Sequence, residues 1–330
     1  MFLTKKVGDF NKKESESLDF TGLKIPRDYK FRNGGKRMAI KHDEINIKAG
    51  KENIVVMIYD TFSENYVGDV ILTPAYGITA RSMFSFAYYL AANGYRVYCL
   101  DYRNHVGKST GDIMYCKLST QVEDVLAVLE ATKCNKIVSL SLSCRSTIKA
   151  CAEYNGSVDL VLVTPVVNTA KTVFAASGVD YFTIVDDTSD LTQKANILGN
   201  VVQYNFVQDA VQNKMDSLNS TIEDLAKIKG NLTCIAGDLD PWVDINDVKY
   251  VLDAVKTDIL TIKLNTIHAA AHKINRNPVV AGKYYEESTR ECLNMSNVDS
   301  TNIIIPNMKE IIRDIGYEKI KVGENHGISK

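Results

Sequence analysis

The sequence predicts an α/β fold in which a mostly parallel central sheet is flanked by helices. Three observations lead to this prediction. Short apolar runs alternate with helical segments, which is the pattern of a parallel sheet built from strand–helix units. One apolar run, Lys136–Leu140, leads directly into a serine-rich turn and then a helix. The alternation breaks only between Pro165 and Gly230, where no regular strand–helix unit is evident.

The predicted elements follow from this alternation. Seven runs are clear strands: Ile54–Tyr59, Asp69–Thr73, Tyr95–Leu100, Lys136–Leu140, Leu160–Thr164, Leu232–Ala236 and Ile259–Leu264. Helices are predicted near Ser82–Ala92, Thr120–Ala131, Arg145–Glu153 and Asn246–Val255. An earlier run, Glu44–Ala49, alternates apolar and polar residues and is interpreted as an antiparallel edge strand, which is common beside parallel strands.

The domain organisation is predicted from the same pattern. Residues 38–330 are expected to form one domain, and residues 1–37, which show little periodicity, an N-terminal extension. The insertion at about 165–230 is expected to be a mostly helical lid above the carboxyl ends of the strands, where ligands bind in such sheets. Two further strand–helix units are the alternative for this stretch.

Composition excludes several classes of protein. The formal net charge is −1, so we expect no nucleic-acid partner. No apolar run approaches the roughly 18 residues of a membrane-spanning helix, so we expect no stable membrane insertion. The seven cysteines include no Cys-x-x-Cys pair, which favours reduced thiols over disulfides or a zinc site. We therefore expect a cytoplasmic protein without a metal or cofactor.

Ser141 is the candidate nucleophile, because it occupies the turn between the Lys136–Leu140 strand and a helix. The nucleophile elbow of α/β-hydrolases usually reads G-x-S-x-G, since larger side chains two residues away would clash. Here the flanking residues are Ser139 and Ser143, the next smallest choice. The alternative is a helix cap, with Ser141 or Ser143 satisfying helix amides. The position between strand and helix predicts the α/β-hydrolase fold.

A serine nucleophile needs a base, and the chain has five histidines. His42 precedes the sheet strands, His326 lies in the C-terminal tail, and His105 lies in a loop ahead of the serine. In α/β-hydrolases the order is serine, acid, histidine, with the base after the last strand. His268 and His272 both satisfy this order, and position alone leaves both open.

The acid is expected after the Leu232–Ala236 strand, where the sequence reads Gly237-Asp238-Leu239-Asp240-Pro241-Trp242-Val243. Asp240 is the better candidate, because it lies at the end of the loop with apolar residues behind it. The alternative is that Asp238 and Asp240 are both turn residues or helix caps.

The oxyanion of an acyl-transfer intermediate needs two amide donors, one after the nucleophile and one after the third strand. Leu142 and Tyr76 are the candidates, since Pro74 has no amide to donate. Alternatively, the Pro74–Gly77 segment is an ordinary strand-to-helix turn.

These segments resemble the acyl transferase, an acyl-carrier-protein thioesterase, of the bacterial bioluminescence fatty-acid reductase system, from about Met38 to about Glu287. The family's S-L-S-A-R elbow is similar to Ser141-Leu142-Ser143-Cys144-Arg145, and its D-D-W-V or D-N-W-V motif to Asp240-Pro241-Trp242-Val243. The stretch from Ala271-His272 to Tyr284-Tyr285 is similar to the segment around its catalytic histidine. The resemblance therefore implies Ser141, Asp240 and His272 as the triad, whereas the oxyanion loop and the lid match only in part.

The resemblance implies an enzyme that cleaves fatty acyl thioesters, carried by acyl carrier protein or coenzyme A, through an acyl-enzyme on Ser141. Lys133, Lys136 and Lys149 are candidates for contact with an acidic carrier protein, with ordinary solvated surface as the alternative. Two other functions stay open, a carboxylester hydrolase with the same triad and a non-catalytic binding protein on this fold.

Overall fold

The computed structural model describes residues 28–33, 36–61, 66–274 and 277–307. The strands in these ranges are β1 (Asp28–Asn33), β2 (Lys36–Ala49), β3 (Glu52–Thr61), β4 (Gly68–Thr73), β5 (Tyr95–Leu100), β6 (Lys136–Leu140), β7 (Asp159–Val163), β8 (Lys194–Ile197), β9 (Asn200–Gln203), β10 (Gly230–Gly237) and β11 (Leu260–Ile267). The α-helices are α1 (Phe84–Ala92), α2 (Leu118–Thr132), α3 (Ser143–Glu153), α4 (Thr169–Ser177), α5 (Tyr181–Ile184), α6 (Asn205–Gln212), α7 (Leu218–Leu225), α8 (Ile245–Ala254) and α9 (Pro278–Met295).

The main sheet has the strand order β1-β2-β3-β5-β4-β6-β7-β10-β11. The six strands from β5 to β11 in this order pair in parallel, and β1, β2 and β3 pair in antiparallel fashion. The mostly parallel sheet confirms the predicted α/β class, and each of the seven predicted strands lies in it.

The antiparallel end of the sheet differs from the prediction. Glu44–Ala49 lies in β2, which is antiparallel to β3 as expected, but β2 is not the edge because β1 pairs on its outer side. The strands β1 and the start of β2 precede residue 38, so the sheet begins inside the predicted extension. Residues 1–27 of that extension lie outside the described residues.

Each face of the sheet is covered by helices. Successive side chains of a strand point to opposite faces, so a single strand contributes residues to both clusters. In β4, Ile71 packs in the cluster formed with α2, α3 and α8, whereas Val70 and Leu72 pack in the cluster formed with α1 and α9. On the second face Phe86 of α1 stacks on Tyr285 of α9 with ring centroids 4.5 Å apart. Both faces of β4, β6, β7 and β10 are thus buried, which explains their apolar sequences, whereas the edge strand β11 is partly exposed.

The insertion between β7 and β10 contains helices α4, α5, α6 and α7 and the hairpin β8–β9, whose strands pair only with each other in the described part of the chain. The two-residue turn of this hairpin, Leu198–Gly199, has φ angles of +50° and +92°, which favour the strand twist of a tight hairpin. Helices are therefore the main regular structure of the insertion, as expected, and the β8–β9 hairpin is an addition to the prediction. No helix in the described ranges is both long and apolar enough to cross a membrane.

Candidate active site

Ser141 lies at the tip of the turn between β6 and α3 with a φ of +55°. This left-handed conformation costs a non-glycine residue on the order of 1–3 kcal/mol, so the surroundings must hold it in place. The amide of Ser141 donates to the carbonyl of Val163 at 2.9 Å. Its carbonyl accepts from the amides of Cys144 and Val166 at 3.1 and 3.2 Å. The turn has the conformation of a strained nucleophile elbow.

The two serines that replace the usual elbow glycines both have buried hydrogen-bond partners. The Thr73 hydroxyl donates to Ser139 Oγ at 2.6 Å. Ser143 Oγ donates to the carbonyl oxygen of Pro74 at 2.6 Å. Because a buried hydroxyl is costly mainly when it is unpaired, these contacts explain how the turn accommodates serine on both sides.

A hydrogen-bonded chain links the predicted nucleophile, base and acid. Ser141 Oγ lies 2.6 Å from His272 Nε2, and His272 Nδ1 lies 2.7 Å from Asp240 Oδ2. The second carboxylate oxygen of Asp240 accepts from the amides of Trp242 and Val243 at 2.9 and 3.0 Å. The side chains of His272 and Asp240 are only 5% and 2% exposed, so little water competes for these bonds.

The sheet topology brings these residues together. Asp240 follows β10 and His272 follows β11, and these strands are parallel neighbours whose carboxyl ends meet at one edge. The loops approach so closely that a Cβ on Gly237 would lie 2.3 Å from the carbonyl oxygen of Ala270. The ring of Trp242 lies 4.9 Å from the His272 imidazole and forms one wall beside it.

The alternatives left open by position, His268 and Asp238, form a separate pair. His268 Nδ1 lies 3.0 Å from Asp238 Oδ2, and the other oxygen of Asp238 accepts from the amide of Ala269 at 2.7 Å. The His268 side chain is 87% exposed, and the hydrogen bond it makes lowers the pKa of Asp238. This pair caps the loop, and neither residue contacts Ser141 through a hydrogen bond.

The remaining histidines lie elsewhere. His42 is on β2, with its ring 6.2 Å from that of Tyr59, and His326 lies outside the described residues. His105 is buried below the loop after β4, where its Nε2 accepts from the amide of Gly77 at 2.9 Å. In the sequence, His105 is only a residue of a loop ahead of Ser141. Its position in a loop that precedes the nucleophile gave no signal of this contact.

The predicted oxyanion donors lie in loops that touch each other. The loop after β4 forms a turn in which the amide of Ile78 donates to the carbonyl of Ala75 at 3.0 Å. The hydroxyl of Ser143 joins this loop to the elbow through Pro74. Among the described residues, the amides of Tyr76 and Leu142 have no hydrogen-bond acceptor. Neither amide is therefore committed to a protein acceptor within this part of the chain.

Comparisons with known proteins agree with this architecture. The family profile described as acyl transferase matches residues 42–322. An acyl transferase of Photobacterium leiognathi is 32% identical over 70% of this chain and 76% of its own length. One of Shewanella woodyi is 27% identical over 81% of this chain and 89% of its own.

Two solved structures show the same fold at low sequence identity. Est1E from Butyrivibrio proteoclasticus, solved with ferulic acid bound, is 16% identical with a TM-score of 0.61, over 76% of this chain and 98% of its own. The monoacylglycerol lipase of Paleococcus ferrophilus is 13% identical with a TM-score of 0.57, over 74% of this chain and 100% of its own. The fold is that of the α/β-hydrolases, as the sequence predicted. With most of its length matched by the family profile, the chain belongs to the acyl transferase family.

Proposed function

We propose that this protein is a serine-dependent acyl hydrolase or acyltransferase that cleaves fatty acyl thioesters through an acyl-enzyme. One observation carries the proposal. The chain of hydrogen bonds from Ser141 Oγ through His272 to Asp240, at 2.6 and 2.7 Å, starts on a strained elbow. A serine hydroxyl becomes a useful nucleophile when a base oriented by a third group can take its proton.

The reaction has two halves. In the first, His272 Nε2 takes the proton of Ser141 as Oγ attacks the thioester carbonyl carbon. The imidazolium then protonates the departing sulfur as the C–S bond breaks, which leaves an acyl ester on Ser141. In the second, His272 takes a proton from water or another acceptor, whose oxygen attacks the ester, and returns it to Ser141 Oγ. Asp240 holds the imidazole in the tautomer with a proton on Nδ1 and stabilises its charged form.

The negative oxygen of each tetrahedral intermediate is assigned to the amides of Tyr76 and Leu142. Their lack of an acceptor among the described residues supports this assignment. The Leu142 amide also lies at the start of α3, where the helix dipole favours negative charge.

The thioester class is proposed from the family, whose curated relatives in luminous bacteria are acyl transferases. Acyl carrier protein or coenzyme A would carry the acyl group. The three lysines considered for contact with a carrier each lie within 4 Å of a carboxylate, and Lys136 is buried in its pair with Asp159. They do not support a free basic patch. We propose a cytoplasmic location, which the free thiols of all seven cysteines support.

The test compares acyl thioesters and oxygen esters of equal chain length, with turnover and the mass of the intact protein as readouts. We expect wild-type protein to release thiol from acyl-coenzyme A or acyl carrier protein faster than alcohol from the esters. We also expect an acyl adduct on the peptide that contains Ser141. Ser141→Ala should abolish both. The matched control is Ser146→Ala, which removes a buried hydroxyl of the helix that follows the Ser141 turn. If Ser141→Ala kept full turnover of every substrate, the proposed mechanism would be refuted.

A further inference from the structure

The loop after β4 is fastened at three consecutive peptide groups. The carbonyl of Pro74 accepts from Ser143 Oγ at 2.6 Å. The carbonyl of Ala75 accepts from the Ile78 amide at 3.0 Å. The amide of Gly77 donates to His105 Nε2 at 2.9 Å. Two side chains therefore hold the peptides before and after the one that carries the Tyr76 amide.

The orientation of the Tyr76 amide follows from these bonds. Its N–H belongs to the same peptide group as the Ala75 carbonyl, and the two point in opposite directions because the peptide is trans. Since the Ala75 carbonyl faces into the turn towards Ile78, the Tyr76 N–H faces out of it. A flip of this peptide about its Cα–Cα axis would break the bond between the Ala75 carbonyl and the Ile78 amide. Ser143 and His105 hold the flanking peptides, and with them the position of that axis.

Ser143 is suited to this role by its position. It lies two residues after Ser141, at the start of α3, and is 1% exposed. Its hydroxyl therefore couples the loop after β4 to the helix that directly follows the Ser141 turn. A glycine, which is usual at this elbow position, has no side chain with which to make the bond.

His105 is suited to this role because its own loop is firmly anchored. One carboxylate oxygen of Asp101 accepts from the Ala80 amide at 2.6 Å and the other from the Lys108 amide at 2.9 Å. The His105 ring packs edge-on against the Tyr76 ring with centroids 5.1 Å apart. Accepting the Gly77 amide requires a neutral imidazole, and burial lowers the pKa of His105 to about 4. Its charge state at neutral pH therefore fits an acceptor.

We propose that Ser143 and His105 are positioning residues that together aim the Tyr76 amide at the oxyanion formed on Ser141. The inference rests on the proposed function and deepens it. The hydrogen bonds of both side chains with this loop are made to its backbone. Each acts through a backbone peptide, so the effect is confined to states that carry the negative oxygen.

The test uses an inhibitor pair that separates the oxyanion from the acyl chain. An alkyl trifluoromethyl ketone adds to Ser141 Oγ and places a negative oxygen in the site, whereas the corresponding secondary alcohol binds without forming an adduct. Inhibition constants for both are measured on wild-type protein and on Ser143→Ala, His105→Leu and His105→Gln. The glutamine variant keeps an acceptor near the position of Nε2. Ser146→Ala is the matched control, since its hydroxyl bonds Gln121 and the Ser143 carbonyl but not the loop.

We expect Ser143→Ala and His105→Leu each to weaken ketone binding and to lower kcat about 10- to 100-fold. These effects should not exceed the effect of removing an entire oxyanion donor. Alcohol binding and KM should stay within about twofold, His105→Gln should recover most of the loss, and Ser146→Ala should resemble wild type. Equal losses for ketone and alcohol, or unchanged ketone binding in Ser143→Ala, would overturn the inference. Ser143→Ala decides the outcome if His105→Leu does not fold. If wild-type protein bound the ketone no tighter than the alcohol, the proposed function would fail, and this inference with it.

Discussion

The buried ion pair between Arg145 and Asp224 predicts an unequal response to the loss of its two partners. Arg145 in α3 is 0% exposed, and its Nη2 donates to Asp224 Oδ2 in α7 and to the Lys214 carbonyl, both at 2.7 Å. Within the described residues its Nε and Nη1 have no hydrogen-bond partner. The other oxygen of Asp224 lies 3.4 Å from Lys149 Nζ and 3.6 Å from Lys227 Nζ. The carboxylate therefore has three cationic neighbours, whereas the guanidinium has one carboxylate in contact.

The magnitudes follow from what each substitution leaves behind. Removing one partner of a buried ion pair typically costs about 3–5 kcal/mol, because a buried charge is left uncompensated. Asp224→Asn should approach this range, because the Arg145 guanidinium then keeps only two neutral acceptors, the Lys214 carbonyl and the oxygen of the new side-chain amide. Burial already lowers the pKa of Arg145 despite the attraction of Asp224. Arg145→Met should cost at most about 2 kcal/mol, because both lysines still neutralise Asp224 and two unpaired nitrogens leave the interior.

Urea unfolding of the single and double variants measures these costs. Asp224→Asn should cost at least about 1 kcal/mol more than Arg145→Met, and its cost in the Arg145→Met background should fall to about 1 kcal/mol. Unequal m-values would indicate that the two-state comparison fails. The reasoning would be refuted if Arg145→Met were as destabilising as Asp224→Asn, since the lysines would then contribute nothing to the carboxylate.

Two further predictions concern Asp240, the proposed acid, and His105, the buried histidine below the loop after β4. Asp240→Asn should lower kcat about 10⁴-fold with little loss of stability, because the new amide group favours the His272 tautomer that cannot accept the serine proton. Steady-state rates and thermal unfolding test this, and a decrease in kcat of less than tenfold would contradict it. Burial lowers the pKa of His105 from 6.5 to about 4, so the unfolded chain binds the proton more tightly than the folded protein. Stability must therefore fall as the pH drops from about 6.5 towards about 4. Between pH 7.5 and pH 5 the free energy of unfolding of wild-type protein should fall by about 2 kcal/mol more than that of His105→Gln. Urea unfolding measures both, and parallel pH profiles would show that His105 does not titrate in this way.

Much of the sheet could be predicted from the sequence because its strands are buried on both faces. Lys136–Leu140 was predicted with the bounds that the structure has, and the turn to α3 followed from the adjacent serines. Elements with weaker local patterns were missed. The strands of the β8–β9 hairpin have four residues each, too few for a clear period, although the glycine in its turn was a usable signal. Helix α9 begins with the capping residue Asn277 followed by Pro278, a start signal that was present but not used.

The sequence by itself determined the fold class, the place of Ser141 between strand and helix, and the chain order of the candidate serine, acid and base. These features depend on local sequence patterns and on the order in which they follow one another along the chain. Only the tertiary structure separates His268 from His272 without recourse to a family, because it pairs His272 with Ser141 and Asp240 and pairs His268 with Asp238. The same pairing agrees with the preference for Asp240 over Asp238 that the sequence already favours. The two histidines are close in sequence, but one is 87% exposed and the other 5%. The difference arises where the loops after β10 and β11 pack against the elbow, and distances across separate loops are not encoded in any local pattern.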